Sequence, residues 1–180
     1  MTGAVVWILG LPSAGKSTLA SGLAGRVREE GVPVLVLDGD EVRAALDPAP
    51  GFDEASRAAF YRTLARLAAL AARQGIVAIV AATSNRRAHR EEARRHWPGL
   101  LEVFVDVPLE VCERRDAKGL YAKARRGEAP SLPGLGDAFE PPVMPDFRTA
   151  GGDDPAVVAE ILRRLVQDRV RPSPAPAASP

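Results

Sequence analysis

Val5-Val6-Trp7-Ile8-Leu9-Gly10-Leu11-Pro12-Ser13-Ala14-Gly15-Lys16-Ser17-Thr18 is the stretch from which the fold can be read. The apolar run 5–9 has the length of a buried strand, and it breaks at Gly10. Residues 10–17 then fit G-x-x-x-x-G-K-[ST], and Thr18, Leu19 and Ala20 open a helical pattern. A strand, a glycine loop and a helix start, in that order, make a phosphate cradle. Gly10 and Gly15 let the backbone turn several N–H groups into one concavity, between them Leu11, Pro12, Ser13 and Ala14. The helix start adds its positive dipole end. Lys16 supplies a mobile charge for β and γ phosphates, and Ser17 a hydroxyl for Mg²⁺. The donor is therefore expected to be a nucleoside triphosphate with Mg²⁺. A glycine turn carrying a chance lysine is the bland alternative. Lysine is scarce here, with Lys16, Lys118 and Lys123 the only three, which weakens that alternative.

Outward from that stretch, composition bounds the rest. A chain of 180 residues, 46% hydrophobic, is long enough for one compact domain with a proper core. A net charge of +1 gives no general attraction to nucleic acid or anionic lipid. The single cysteine, Cys112, excludes an internal disulfide and suits a reducing compartment. No apolar run reaches the ~20 residues that span a bilayer, and no basic region precedes the first strand as in a signal peptide. The expectation is a cytoplasmic enzyme, with no nucleic acid and no membrane among its partners.

Apolar runs alternate with helical patterns, which predicts βαβ units: an α/β chain with a parallel sheet flanked by helices on both faces. A helix over 17–30 buries Leu19, Leu23 and Val27, and Gly31 suits its end. A strand over 34–37 runs into Asp38-Gly39-Asp40, with Arg43 just beyond. The C-terminal edge of such a sheet is where ligands bind. Helix capping is the bland role for Asp38 and Asp40; two acids and an arginine beside a phosphate site favour function. Phe52 follows a turn, and Asp53 caps a long helix to about residue 73. That helix is predicted to bury Leu64, Leu67, Leu70 and Ala71 and to leave Arg57, Arg62 and Arg66 on the surface. A third strand covers 76–82 and ends at Thr83-Ser84-Asn85. The basic run Arg86-Arg87-Ala88-His89-Arg90 reads as a solvated helix face, with His89 exposed. A fourth strand covers 101–105, and Pro108 opens the next helix at its first position. From 116 to 145 the apolar periodicity is lost and Lys118, Lys123, Arg125 and Arg126 give positive character, as in a lid that closes over phosphates. A last helix begins near Pro155 with Val158, Ile161, Leu162 and Leu165 inward. Residues 171–180 read as a disordered tail beyond a single domain over 1–170.

Several blocks together resemble adenylylsulfate kinase. They are the phosphate loop, Leu37-Asp38-Gly39-Asp40-Glu41-Val42-Arg43, Gly51-Phe52, the run from Glu102 through Val107-Pro108-Leu109-Glu110 to Arg114-Arg115-Asp116, and Lys118-Gly119-Leu120-Tyr121. The resemblance implies a P-loop NTPase fold and transfer of the γ-phosphoryl group of MgATP to the 3′-hydroxyl of adenosine 5′-phosphosulfate. It implies Lys16 and Asp40 as catalytic residues, with Ser17 and Asp40 near the metal. Residues 10–18 with Arg114 and Arg115 would bind ATP. Asp38, Asp40, Arg43, Phe52, Arg57, Ser84, Lys118, Leu120 and Tyr121 would bind the acceptor, with Phe52 stacked on its adenine. It also implies a homodimer.

The chain departs from that pattern only in the acceptor half. Where the family has an asparagine and a second arginine, this chain has Phe60 and Thr63; its Ser-Pro-Tyr-Arg stretch is here Ser84-Asn85-Arg86-Arg87; a second adenine-facing phenylalanine is here Leu132. The alternative reading is thus a P-loop kinase of the same build acting on a different hydroxylated acceptor. A nucleotide-binding regulatory module is disfavoured by Lys16, Ser17 and Asp40.

Overall fold

A computed structural model of the chain describes residues 3–170. The elements in order are β1 (Ala4–Leu9), α1 (Lys16–Glu29), β2 (Val34–Asp38), α2 (Gly39–Ala45), α3 (Glu54–Arg73) and β3 (Val77–Ala81). They continue with α4 (Arg87–His96), β4 (Leu101–Val105), α5 (Leu109–Arg115), α6 (Leu120–Arg125), β5 (Phe147–Thr149) and α7 (Pro155–Val170). The strands form one parallel sheet in the order β2-β3-β1-β4-β5. β1 is central, with Val6 opposite Ile79 on one side and Leu101 on the other.

Strand alternation sorts the core into two layers. Val6 and Ile8 meet Leu19 and Leu23 of α1 and Ile161 of α7 on one face. Val5, Trp7 and Leu9 meet Phe60, Tyr61 and Leu64 of α3 on the other. Both faces of β1 are covered, which is why its sequence is a continuous apolar run and not an alternation. The parallel arrangement brings the ends of β1, β2, β3 and β4 to one edge. Gly10, Asp38, the residues around Ser84, and Asp106 therefore share a rim.

Several expectations are corrected. Leu67 and Leu70 of α3 are 37% and 48% exposed. The buried face is Arg57, Phe60, Tyr61, Leu64, Ala65, Ala68, Ala71 and Ala72, a true three-four spacing in which alanines let the helix lie close to the sheet. Arg57 is thus buried, not on the surface. His89 and Arg90 are also buried. Arg90 reaches the buried Glu102 of β4 at 3.0 Å and Arg94 reaches it at 2.6 Å, so this basic run neutralises an interior acid. Pro108 is the N-cap of α5 and lies one position before the helix. The segment 116–145 contains a helix, α6, and the sheet has a fifth strand, β5, that periodicity did not reveal. Three residues are too few to show alternation. The expected tail over 171–180 lies outside the described residues.

Candidate active site

The phosphate loop is held by backbone contacts that exclude side chains. Gly10 has φ 154° and Gly15 φ 105°, and Ser13 also lies in the left-handed region at 61°. A Cβ on Gly10 would stand 2.6 Å from the Val105 carbonyl oxygen. On the far side, Gly15 and Gly152 meet backbone to backbone, so that a Cβ on Gly152 would lie 2.1 Å from the Gly15 oxygen. Beneath the loop, the buried Tyr121 hydroxyl donates to the Pro12 carbonyl at 3.0 Å. Arg115 donates to the Ala14 carbonyl at 3.4 Å. α1 then starts at Lys16 with no side-chain cap, which leaves its first N–H groups and its dipole facing the loop.

Lys16 is half-buried, and its ammonium donates to the Leu11 carbonyl at 2.7 Å. Burial pushes its pKa down to about 8, while the charges of Asp40 and Asp38 act in the other direction. Ser17, in the first turn of α1, donates its hydroxyl to the Asp38 carboxylate across the rim at 2.5 Å. The other oxygen of Asp38 accepts from the Asp40 N–H at 2.9 Å and caps α2. Asp38 thus does both things considered for it, capping a helix and facing the loop. Asp40 pairs with Lys118, which arrives from the segment before α6. Ser17, Asp38 and Asp40 form an oxygen-only set suited to a hard cation that keeps water and phosphate ligands. Among the described residues no group of three or more His, Cys, Asp or Glu could hold a metal by itself.

The other half of the rim is an open pocket of about 290 Å³ whose walls include Phe52, Arg57, Asn85, Arg86, His89 and Asp137. Arg43, on α2, donates to the carbonyls of Pro50 and Gly51 at 2.7 and 2.8 Å. Its guanidinium lies 4.5 Å from the ring centre of Phe52 and 4.0 Å from that of Phe60, and burial lowers its pKa. Arg57 donates to the Phe52 carbonyl at 2.6 Å and to the Ser131 carbonyl at 2.7 Å, tying the start of α3 to the later segment. Asn85 and Arg86 hold that segment from the opposite side through Asp137, at 2.8 and 2.5 Å. Phe52 is 59% exposed at the mouth.

The structure therefore gathers Lys16, Ser17, Asp38, Asp40 and Lys118 on one side and Arg43, Phe52 and Arg57 on the other. It places the remaining candidates differently. Ser84 is fully buried: its N–H donates to the Tyr61 hydroxyl, its carbonyl accepts from Arg90, and its hydroxyl accepts from Trp7. Tyr121 lies under the phosphate loop, and Leu120 packs against the core. Thr18 is exposed on α1. Arg114 faces a separate shallow cleft with Glu110 and Arg125. Leu132 is buried in the α1 side of the core and offers no flat face to the pocket. Sequence reasoning missed Gly152 and the Asn85–Asp137 contact. The adjacent Gly151-Gly152 between a strand and a helix at the ligand rim was the available signal for the first.

The model of the adenylylsulphate kinase family matches residues 2–150. The adenylyl-sulfate kinase of Synechococcus sp. (strain JA-2-3B'a(2-13)) is 44% identical over 165 residues, which cover 91% of this chain and 94% of that one. That of Paraburkholderia xenovorans (strain LB400) is 49% identical over 146 residues, 81% of this chain and 82% of the relative. Among solved structures, the Mycobacterium tuberculosis APS kinase in complex with AMPPNP and APS superimposes with a TM-score of 0.85 at 38% identity. The match covers 92% of this chain and 98% of that chain. A shikimate kinase from Aquifex aeolicus, at 19% identity and a TM-score of 0.51, shares the fold alone.

Proposed function

The chain belongs to the adenylylsulfate kinase family, and from that premise we propose that it phosphorylates the 3′-hydroxyl of adenosine 5′-phosphosulfate with ATP. It is an ATP-dependent kinase. The observation that carries the reading is the phosphate loop, with Ser17 against Asp38, standing beside a pocket walled by Phe52 and Arg57. In the solved relative the same pair of ligand classes, AMPPNP and APS, is bound together.

The roles follow from charge and position. Backbone N–H groups of the loop and the α1 terminus hold the β and γ phosphates. Burial lowers the pKa of Lys16 to about 8, and a phosphate beside it favours the ammonium form. Ser17 and the Asp38 carboxylate would hold Mg²⁺, which supplies charge neutralisation on the phosphates when bound. Asp40 accepts the proton of the acceptor hydroxyl, and Lys118 holds its carboxylate in place. The acceptor oxygen forms a bond to the γ phosphorus as the bond to the bridging oxygen breaks, and ADP leaves. Arg43 and Arg57 suit the anionic end of the acceptor. Residues 116–145 act as the lid of a single kinase domain over 1–170. No helix among the described residues is long and apolar enough to cross a membrane. The cytoplasm, where ATP is supplied, is the proposed site of action, and a homodimer the proposed assembly, to be tested by light scattering.

A second reading keeps the fold and changes the acceptor. It is favoured by Leu132, which is buried in the core and gives the pocket no second phenyl face opposite Phe52. Coupled detection of ADP with adenylylsulfate, set beside a panel of hydroxylated metabolites, separates the two. Release driven by adenylylsulfate supports the first. Release driven only by another acceptor establishes the second.

A further inference from the structure

We propose that Asn85 reads the base of the acceptor, its Oδ1 accepting a hydrogen bond from the exocyclic amino group of a 6-aminopurine. This rests on the reading of the pocket as the acceptor site and adds what selects the ligand within it.

The orientation of the Asn85 amide is fixed by its partners. Its Nδ2 donates to the Asp137 carboxylate at 2.8 Å and to the Ala138 carbonyl at 3.1 Å. Two acceptors on one side require the NH₂ group there, so the free atom is the oxygen. That oxygen is buried without a hydrogen-bond partner, on a fully buried side chain that lines the pocket. A buried acceptor left unmatched is costly, and a ligand group that donates to it regains that loss.

The remaining groups of the wall sharpen the chemistry. Arg57 donates Nε and one Nη to two carbonyls and keeps its other N–H groups for the anionic end of the acceptor, and Arg86 pairs with Asp137 and Glu140. His89, also buried and with Nδ1 unpartnered, is kept neutral by burial and by Arg57, Arg90 and Arg86 around it. Beside the carboxylates of Asp53 and Glu54 at the start of α3, the wall offers the uncharged Asn85 oxygen, and Phe52 at the mouth supplies a π face. A flat, neutral heterocycle bearing an amino group fits this. One bearing a carbonyl at the same place would set oxygen against oxygen.

The test is calorimetric titration of the full chain, with ADP saturating the donor site, using adenosine 5′-monophosphate and inosine 5′-monophosphate. These differ in the amino group against a carbonyl. The wild-type chain should bind the amino ligand roughly ten-fold or more tightly than the oxo ligand. Asn85→Ala should bring the two within about two-fold, a loss of preference that a purely structural role for Asn85 would not produce. Equal binding by wild type, binding of neither ligand, or an unchanged preference in the variant overturns the proposal. Should that variant not fold, Asn85→Ser takes its place, with the same loss of preference expected and an unchanged preference again overturning the proposal. Turnover of adenylylsulfate, measured separately, tests the acceptor reading. Turnover without base preference removes only the role of Asn85, and base preference without turnover removes only the acceptor reading.

Discussion

The Arg43 guanidinium lies 4.0 Å over the ring of Phe60, which α3 buries against the sheet. Phe60 stands where the resembling family has an asparagine, and in this chain it gives Arg43 a cation–π contact. A desolvated pair of this kind contributes roughly 1–2 kcal/mol. Phe60→Leu should raise the acceptor KM about five- to thirty-fold and leave the ATP KM unchanged, with Phe60→Tyr close to wild type. Equal changes in both KM values would show that Phe60 serves the core and not Arg43.

Tyr121 braces the phosphate loop from below through the Pro12 carbonyl. Tyr121→Phe keeps the ring in the core and removes one hydrogen bond, a loss of about 1 kcal/mol. The expected result is a few-fold rise in ATP KM with an unchanged acceptor KM. A rise in acceptor KM alone would return Tyr121 to the lid role that the resemblance implies.

Gly152 and Gly151 make a matched pair. Gly152→Ala would drive a methyl group into the Gly15 backbone, which can yield only by moving the loop; at Gly151 a Cβ meets nothing within 4 Å. Gly152→Ala should weaken nucleotide binding more than about ten-fold, measured with a fluorescent ATP analogue, and Gly151→Ala should bind as wild type. Equal affinities for the two variants would contradict the close approach seen here.

His89 makes stability depend on pH. Its folded pKa is pushed down to about 4, first by burial and then by Arg57, Arg90 and Arg86, with Glu140 opposing. The unfolded chain holds more protons on this residue between that value and the ordinary ~6.5, so its contribution is fully present above 6.5 and falls as pH drops toward 4. The loss reaches about 2 kcal/mol by pH 5. Urea unfolding of wild type and His89→Gln at pH 7 and pH 5 measures it: the variant should lack that part of the fall. Identical falls would show that His89 stays protonatable in the folded chain.

What could be read in the sequence followed from periodicity and from short motifs. Val5 to Leu9 declared a strand buried on both faces, and Gly10 to Ser17 declared its loop, because both signals are local. Leu67 and Leu70 misled because hydrophobicity alone does not fix the phase of an alanine-rich helix; the sheet selected the alanine side. Arg90 looked solvated because its partner, Glu102, comes from β4, and His89 because the Tyr61 ring it lies against comes from α3. Tyr121 and Gly152 act on the phosphate loop over more than a hundred residues of sequence, a distance at which spacing carries no information. The acceptor wall was the least legible part, since Asn85 acquires its orientation from Asp137 and Ala138, more than fifty residues away.

In the proposed function the phosphate loop and the Phe52–Arg57 pocket serve one transfer, from ATP to adenylylsulfate. Its most direct measurement is ADP release by the purified chain with MgATP, with and without adenylylsulfate, in wild type and Lys16→Ala. ADP formation should depend on adenylylsulfate, yield a 3′-phosphorylated product and be lost in Lys16→Ala. ADP release that adenylylsulfate does not stimulate at any concentration would contradict it.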